Sequence, residues 1–294
     1  MFQRLASDFT PTLIQWGIAH NAVRAMLLTS SRTVPGAKVD LLSDYDLILV
    51  VQDIHPFLDD RSWLGDFGEV LVVFWDPVSL DPFYGLEHCA NVTQYIDGLK
   101  IDFTLWPVEL FQRIVAAPEL PAEMDAGYRL LLDKDQLAAS LRSPTYAAYL
   151  PKPPTQTAYQ TLINDFLSDA PYVAKCLWRM ELFPVKWCLD YDMKHIYLRQ
   201  LLVWYIELDH NWSVRADLMG KGLKGYLPSD IWSELEQTYA TAQITANWDA
   251  LSRTLALFRR IAIEVGERLG YAYPELLHQR VCAYIEQIRQ LPAG

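Results

Sequence analysis

Two stretches decide the reading: Val23-Arg24-Ala25-Met26-Leu27-Leu28-Thr29-Ser30-Ser31-Arg32 and, about a dozen residues later, Ser43-Asp44-Tyr45-Asp46-Leu47-Ile48-Leu49-Val50-Val51. Val23 to Leu28 is an apolar run of strand length that ends in the polar turn Thr29-Ser30-Ser31-Arg32. Tyr45 to Val51 is rich in Val, Leu and Ile and reads as a second strand. Asp44 and Asp46 stand two apart where it opens, and a period of two places both carboxylates on one face.

Outward from this core, Leu5 to His20 has helical spacing through Leu5, Phe9, Leu13 and Trp16, interrupted near Pro11. Glu69 to Trp75 predicts a further strand, and the uncharged runs Leu47 to Val51 and Leu71 to Trp75 suit buried strands. Asn91 to Ile96 and Leu99 to Trp106 flank Asp97-Gly98, which predicts a hairpin closed by a type I′ turn. In its second strand Ile101, Phe103 and Leu105 form the apolar face and Asp102 looks the other way. If that strand neighbours the first, three carboxylates converge. Val108 to Ala116 reads as a helix behind Pro107, and Tyr128 to Leu132 as a strand or edge segment, giving a sheet of about four to six strands.

The character changes at Pro151-Lys152-Pro153-Pro154, a stiff run that fits neither a helix nor a central strand. Beyond it Gln156 to Ser168, Tyr172 to Leu182, Val185 to Asp209, Trp232 to Ala242, Asp249 to Leu269 and Glu275 to Leu291 carry apolar residues at three and four spacing. Leu251, Leu255, Phe258, Ile261 and Val265 would share one face. The expectation is an α+β protein of two domains: residues 1–150 with a mixed sheet and flanking helices, and residues 151–294 as a helical bundle.

With 51% hydrophobic and 21% charged residues among 294, the chain has the composition of packed domains rather than a disordered one. No apolar run approaches the roughly 18 residues needed for a membrane span. Cys89, Cys176, Cys188 and Cys282 lie far apart without metal or redox spacing, and no export signal opens the chain, so a cytoplasmic setting is expected. The six histidines show no metal-ligand spacing. Glycine-rich nucleotide loops and serine-hydrolase elbows are also absent.

The net charge of -11 is concentrated: Asp40 to Asp102 holds thirteen acidic residues against Arg61 and Lys100, and the rest of the chain balances. Such a field repels nucleic acid and attracts cations, whether metal ions or a polycationic small molecule. A solvated acidic face kept for solubility is the plainer explanation. Three converging carboxylates, however, repel one another unless a cation neutralises them, and hard oxygen ligands suit Mg²⁺ bound together with a nucleotide's phosphates. The Ser30-Ser31-Arg32 turn offers hydroxyls, N–H groups and a guanidinium for those phosphates.

On these residues the chain resembles the aminoglycoside 6-adenylyltransferase (streptomycin adenylyltransferase) family of the nucleotidyltransferase superfamily. The likeness continues through Phe67-Gly68-Glu69, Lys100 to Leu105, Asn164-Asp165-Phe166, Pro171 to Lys175, Leu177-Trp178-Arg179, Lys186 with Asp190, Gly220-Lys221-Gly222, Lys224 and Tyr226-Leu227. It implies a catalytic first domain and an acceptor-binding second one, with ATP as donor, Mg²⁺, and transfer of AMP to an aminoglycoside hydroxyl. It also implies Asp44, Asp46 and Asp102 as metal ligands, and Ser30, Ser31 and Arg32 on the leaving pyrophosphate. Lys175, Lys221 and Lys224 become donors to the triphosphate or else solvated surface lysines, and Asp165, or else Asp102, orients or deprotonates the acceptor hydroxyl. Tyr172, Trp178 and Trp187 are either acceptor contacts or helix-packing residues, and Asp165, Asp169 and Asp190 either acceptor contacts or helix-cap or surface carboxylates.

Two departures stand out. Ser30 occupies a place usually held by glycine, and Asp165 one often held by glutamate, with Leu167 and Ser168 where tryptophan is found nearby. A different acceptor, or a non-catalytic binding protein of the same fold, remain alternative readings of the sequence.

Overall fold

The structure is a computed structural model and describes residues 8–214 and 218–292. Leu5 thus lies outside the described residues. The chain divides into two compact units, Met1–Tyr149 and Leu150–Gly294, and Pro151 to Pro154 carry no regular structure.

The first unit runs α1 (Thr10–Ala19), β1 (Val23–Thr29), β2 (Tyr45–Val51), α2 (His55–Asp59), β3 (Val70–Trp75), β4 (Ser79–Leu80), β5 (Glu87–Tyr95), β6 (Lys100–Pro107), α3 (Val108–Ala116), α4 (Ala122–Asp125) and β7 (Tyr128–Asp133), with 3₁₀ turns at Ser30–Arg32 and Ser62–Phe67. Pro11 does not interrupt α1. It sits in the first turn, where its missing N–H has no helical partner to lose. The strands form one mixed sheet in the order β3-β5-β6-β2-β1-β7, with β4 paired to β5. β2 and β6 are parallel, and the other pairings are antiparallel.

The seven strands among the described residues exceed the expected four to six, because β4 is too short to show a period of two and the ambiguous Tyr128 segment is an edge strand. The central strands are covered on both sides, which explains the unbroken apolar run of β2. On one side Leu47, Leu49, Phe103 and Leu105 pack against Leu13 and Trp16 of α1 and against Trp63 and Phe67. On the other, Ile48, Val50 and Trp106 pack with Leu110, Phe111 and Ile114 of α3.

Two local expectations are corrected. Leu71 to Phe74 is not a buried strand: β3 lies at the sheet edge, with Leu71 61% and Phe74 62% exposed. The Asp97-Gly98 hairpin forms, but not with a type I′ turn. Gly98 alone of that pair has positive φ, at 91°, and its N–H bonds Tyr95 O at 3.0 Å. Tyr95 N–H then bonds Leu99 O at 2.9 Å, the pattern of a type I turn followed by a glycine bulge.

The second unit is helical: α5 (Gln156–Trp178), α6 (Leu182–Lys186), a π-helical stretch (Trp187–Leu198), α7 (Arg199–His210), α8 (Leu223–Tyr226), α9 (Ser229–Gln237), α10 (Ile244–Leu269) and α11 (Glu275–Arg289). Thr155 caps α5, its hydroxyl accepting from Ala158 N at 3.1 Å. The two helices expected on either side of Pro171 are one, because buried Leu167, Ala170, Val173 and Ala174 hold the proline within a packed face. Val185 to Asp209 stays helical but is widened over twelve residues into the π form. Leu251, Leu255, Phe258, Ile261 and Val265 of α10 are all buried, as their spacing predicts. Among the described residues no helix is long and apolar enough to cross a membrane.

Candidate active site

The parallel pairing of β2 and β6 sets Asp46 beside Asp102. Two residues before each stand Asp44, just ahead of β2, and Lys100, the first residue of β6. The Lys100 ammonium bridges Asp44 and Asp102, with Nζ 2.6 Å from Asp44 Oδ2 and 2.9 Å from Asp102 Oδ2. Further along the same face come Ile48 and Thr104, then Val50 and Trp106, which α3 covers. One end of this face is therefore core, and the other end is a partly open group of three carboxylates and one lysine.

Burial, followed by the charge of Asp102, pushes the Asp46 carboxyl up to about 6, although a hydrogen bond from the Ser30 hydroxyl favours the charged form. Burial also raises Asp102, against the pull of Lys100. Lys100 itself would be lowered by burial, but its bonds to Asp44 and Asp102 carry it above the ordinary lysine value. Asp102 Oδ1 is buried and has no hydrogen-bond partner among the described residues. An unpartnered carboxylate oxygen beside two further carboxylates is a donor set of hard oxygens, and the residues fit a divalent cation such as Mg²⁺.

The turn after β1 closes one side of this group. Ser30 adopts φ 60°, the left-handed region, which accounts for glycine being the common choice at such a position. Arg32 Nε donates to Asp44 O at 2.8 Å, its Nη2 donates to Ser43 O at 2.7 Å, and the guanidinium lies 3.7 Å over the Tyr45 ring. These bonds brace the chain that delivers Asp44. Thr33 Oγ1 donates to Gly127 O at 2.7 Å, and a Cβ on Gly127 would stand 2.8 Å from Thr33 O, so the close approach requires glycine there. Asp44, Asp46, Asp102 and Ser30 are thus brought together, while Arg32 reaches the group through main-chain carbonyls.

Ser31 lies in the same 3₁₀ turn as Ser30 and Arg32, and the remaining candidates lie in the second unit. Asp165 is exposed on α5, and Lys175 on the same helix has Nζ 5.8 Å from the Tyr284 ring centroid. Lys221 is exposed, and Lys224 stands 3.7 Å from Glu236 and 5.2 Å from the Trp232 ring. Asp190 is tied by Lys186 at 2.5 Å and by Lys194 at 2.7 Å, so it is a neutralised structural anion rather than an open carboxylate. Trp178 donates to Pro292 O at 3.1 Å, whereas Tyr172 and Trp187 are 49% and 66% exposed.

Two features were not singled out from the sequence. Lys100 was legible in the Lys-Ile-Asp alternation, which places it on the face of Asp102. Asp192 was given no role from the sequence; its carboxylate lies within 4.8 Å of the Cys188 thiol, four residues earlier on the same helical stretch, and of Asp169 on α5, a contact between helices that spacing along one helix does not show. Burial, then Asp192, raises Asp169, and burial pushes the Cys188 thiol up.

The sequence profile of the streptomycin adenylyltransferase family matches residues 4–288. The chain belongs to the streptomycin adenylyltransferase family. It is 30% identical over 270 residues to an aminoglycoside 6-adenylyltransferase of Campylobacter jejuni, covering 91% of this chain and 89% of that one. A Bacillus subtilis (strain 168) protein of the same name is 27% identical over 278 residues, covering 92% and 94%. A solved aminoglycoside 6-adenyltransferase from Bacillus subtilis aligns over 96% of this chain and 97% of its own at 24% identity, with a TM-score of 0.45. As a member of the streptomycin adenylyltransferase family, the protein is a nucleotidyltransferase enzyme.

Proposed function

We propose that this enzyme transfers AMP from ATP to a hydroxyl of an aminoglycoside, with Mg²⁺ and release of pyrophosphate, and that streptomycin is the first acceptor to try. The observation that carries the reading is the β2–β6 register, which sets Asp46 beside Asp102 with Asp44 next to them, in a chain of this family. Asp44 and Asp46 would hold one Mg²⁺, and Asp102 would complete a second site. Bound there, the ions supply positive charge to the attacking and leaving oxygens of an in-line displacement at the α-phosphorus.

The chain's own groups do the rest. Ser30 and Ser31 offer hydroxyls and backbone N–H groups to the leaving pyrophosphate, and Arg32 holds the carbonyls that fix Asp44. Lys175, Lys221 and Lys224 are proposed donors to the triphosphate, as cations on flexible stems. Asp165 orients the acceptor hydroxyl and takes its proton, or Asp102 does so.

Three features support a cationic acceptor: the acidic window from Asp40 to Asp102, the carboxylates of Asp165, Asp169 and Asp192, and the exposed rings of Tyr172 and Trp187. The same acidity disfavours nucleic acid, and the unpaired thiols fit a cytoplasmic setting. The test is mass spectrometry of a panel of aminoglycosides and neutral sugars incubated with enzyme, ATP and Mg²⁺. An adenylyl mass added to streptomycin or another aminoglycoside is the expected result, and modification of none of the cationic acceptors would refute it.

A further inference from the structure

Lys100 is the cation the site already has. Its ammonium lies between one oxygen of Asp44 and one of Asp102, two of the three carboxylates proposed to hold the metal, while among the described residues Asp46 has no ion pair and the second oxygen of Asp102 no hydrogen-bond partner. An ammonium satisfies two carboxylates with two charge-assisted bonds, and it disfavours a dication a few ångströms away, because like charges at that distance repel in a partly buried setting. The side chain is only 23% exposed, so its present position is built by the strand, not by chance contact at the surface. Its four-carbon stem and compact head allow it to withdraw without moving the β6 backbone.

We propose that Lys100 is a resident countercation that holds the metal-free aspartates together and competes with the divalent metal for them, so that it sets how tightly the enzyme binds metal. The inference rests on the assignment of Asp44, Asp46 and Asp102 as metal ligands. Lys100 is in this sense a positioning residue of the site. It keeps Asp44 and Asp102 in place before the metal arrives, and it weakens metal binding until the nucleotide's phosphates add their own charge.

The experiment is Mn²⁺ binding, followed by electron paramagnetic resonance, to wild type, Lys100→Met, Lys100→Arg and Asp46→Asn, without nucleotide. Lys100→Met is expected to bind Mn²⁺ at least about tenfold more tightly than wild type. It should also melt lower than wild type in EDTA and recover with saturating Mn²⁺. Lys100→Arg keeps the charge and should bind like wild type. Asp46→Asn should bind weakly or not at all. Equal or weaker binding by Lys100→Met, with normal loss in Asp46→Asn, overturns the countercation and leaves the metal site standing. No Mn²⁺ binding to any variant overturns both.

A second measurement needs no variant. Amine-reactive labelling of the wild-type protein, read by peptide mass spectrometry, should modify Lys100 faster with Mn²⁺ than with EDTA, because the withdrawn ammonium loses its carboxylate partners. Unchanged or slower labelling contradicts the proposal.

Discussion

Ionised Asp46 costs the metal-free protein stability at neutral pH, because its folded carboxyl titrates at about 6 while an unfolded aspartate titrates at about 3.9. The folded state therefore binds the proton more tightly, and stability falls as pH rises from about 4 through about 6. Removing the charge should help. Asp46→Asn is predicted to stabilise the protein in EDTA at about pH 7.5 by on the order of 1–3 kcal/mol, with the gain shrinking toward about pH 4. Paired thermal melts at the two pH values check this, and a loss of stability at the higher pH would contradict it. Ser30 makes a second residue-scale case. At φ 60° a β-branched side chain is strained, so Ser30→Val should cost about 1–2 kcal/mol. Ser30→Gly relieves that strain but frees the unfolded chain and removes the hydroxyl's hydrogen bond to Asp46, so it should also destabilise, by less than Ser30→Val. Denaturant midpoints of the three proteins decide it.

At the scale of elements, the π-helical stretch is anchored by a buried lysine. Lys194 is 2% exposed, and its Nζ donates to Asp190 at 2.7 Å and to Thr238 O at 2.6 Å, joining this stretch to the end of α9. Lys194→Met leaves a carboxylate and a carbonyl short of a partner and is predicted to cost about 3 kcal/mol. Chemical denaturation measures it, and an unchanged midpoint would show that Lys186 alone satisfies Asp190. This stretch also marks where the sequence ceased to be readable. Apolar spacing located α3 and α10 because one face of each meets a core, and it located β2 because both its faces do. The same spacing gives no sign of helix widening, nor of the approach of Asp192 to Asp169, which is a contact between two helices. Apolarity likewise misled at β3, since composition does not say which strand ends at the edge. The Asp97-Gly98 signal gave the hairpin but not its turn type, because Gly98 alone supplies the positive φ that a bulge needs.

At the scale of the whole molecule, the excess negative charge lies in the window that also holds Asp44, Asp46 and Asp102. If the acceptor is polycationic, this field raises its encounter rate, and salt screens it over about 10 Å at 0.1 M ionic strength. Raising ionic strength is therefore predicted to increase KM for the acceptor more than KM for ATP; equal changes would remove steering from the account. The aspartates were legible because strand alternation and a Ser-Ser-Arg turn are local signals. Their convergence needed the parallel β2–β6 register, which depends on residues more than fifty positions apart. The most direct test of the central claim is pyrophosphate release from ATP and Mg²⁺, with and without streptomycin, by wild type and by Asp46→Asn. Release that requires streptomycin and is lost in the variant is the predicted result. Release that persists in Asp46→Asn, or none from wild type with any aminoglycoside, would contradict it.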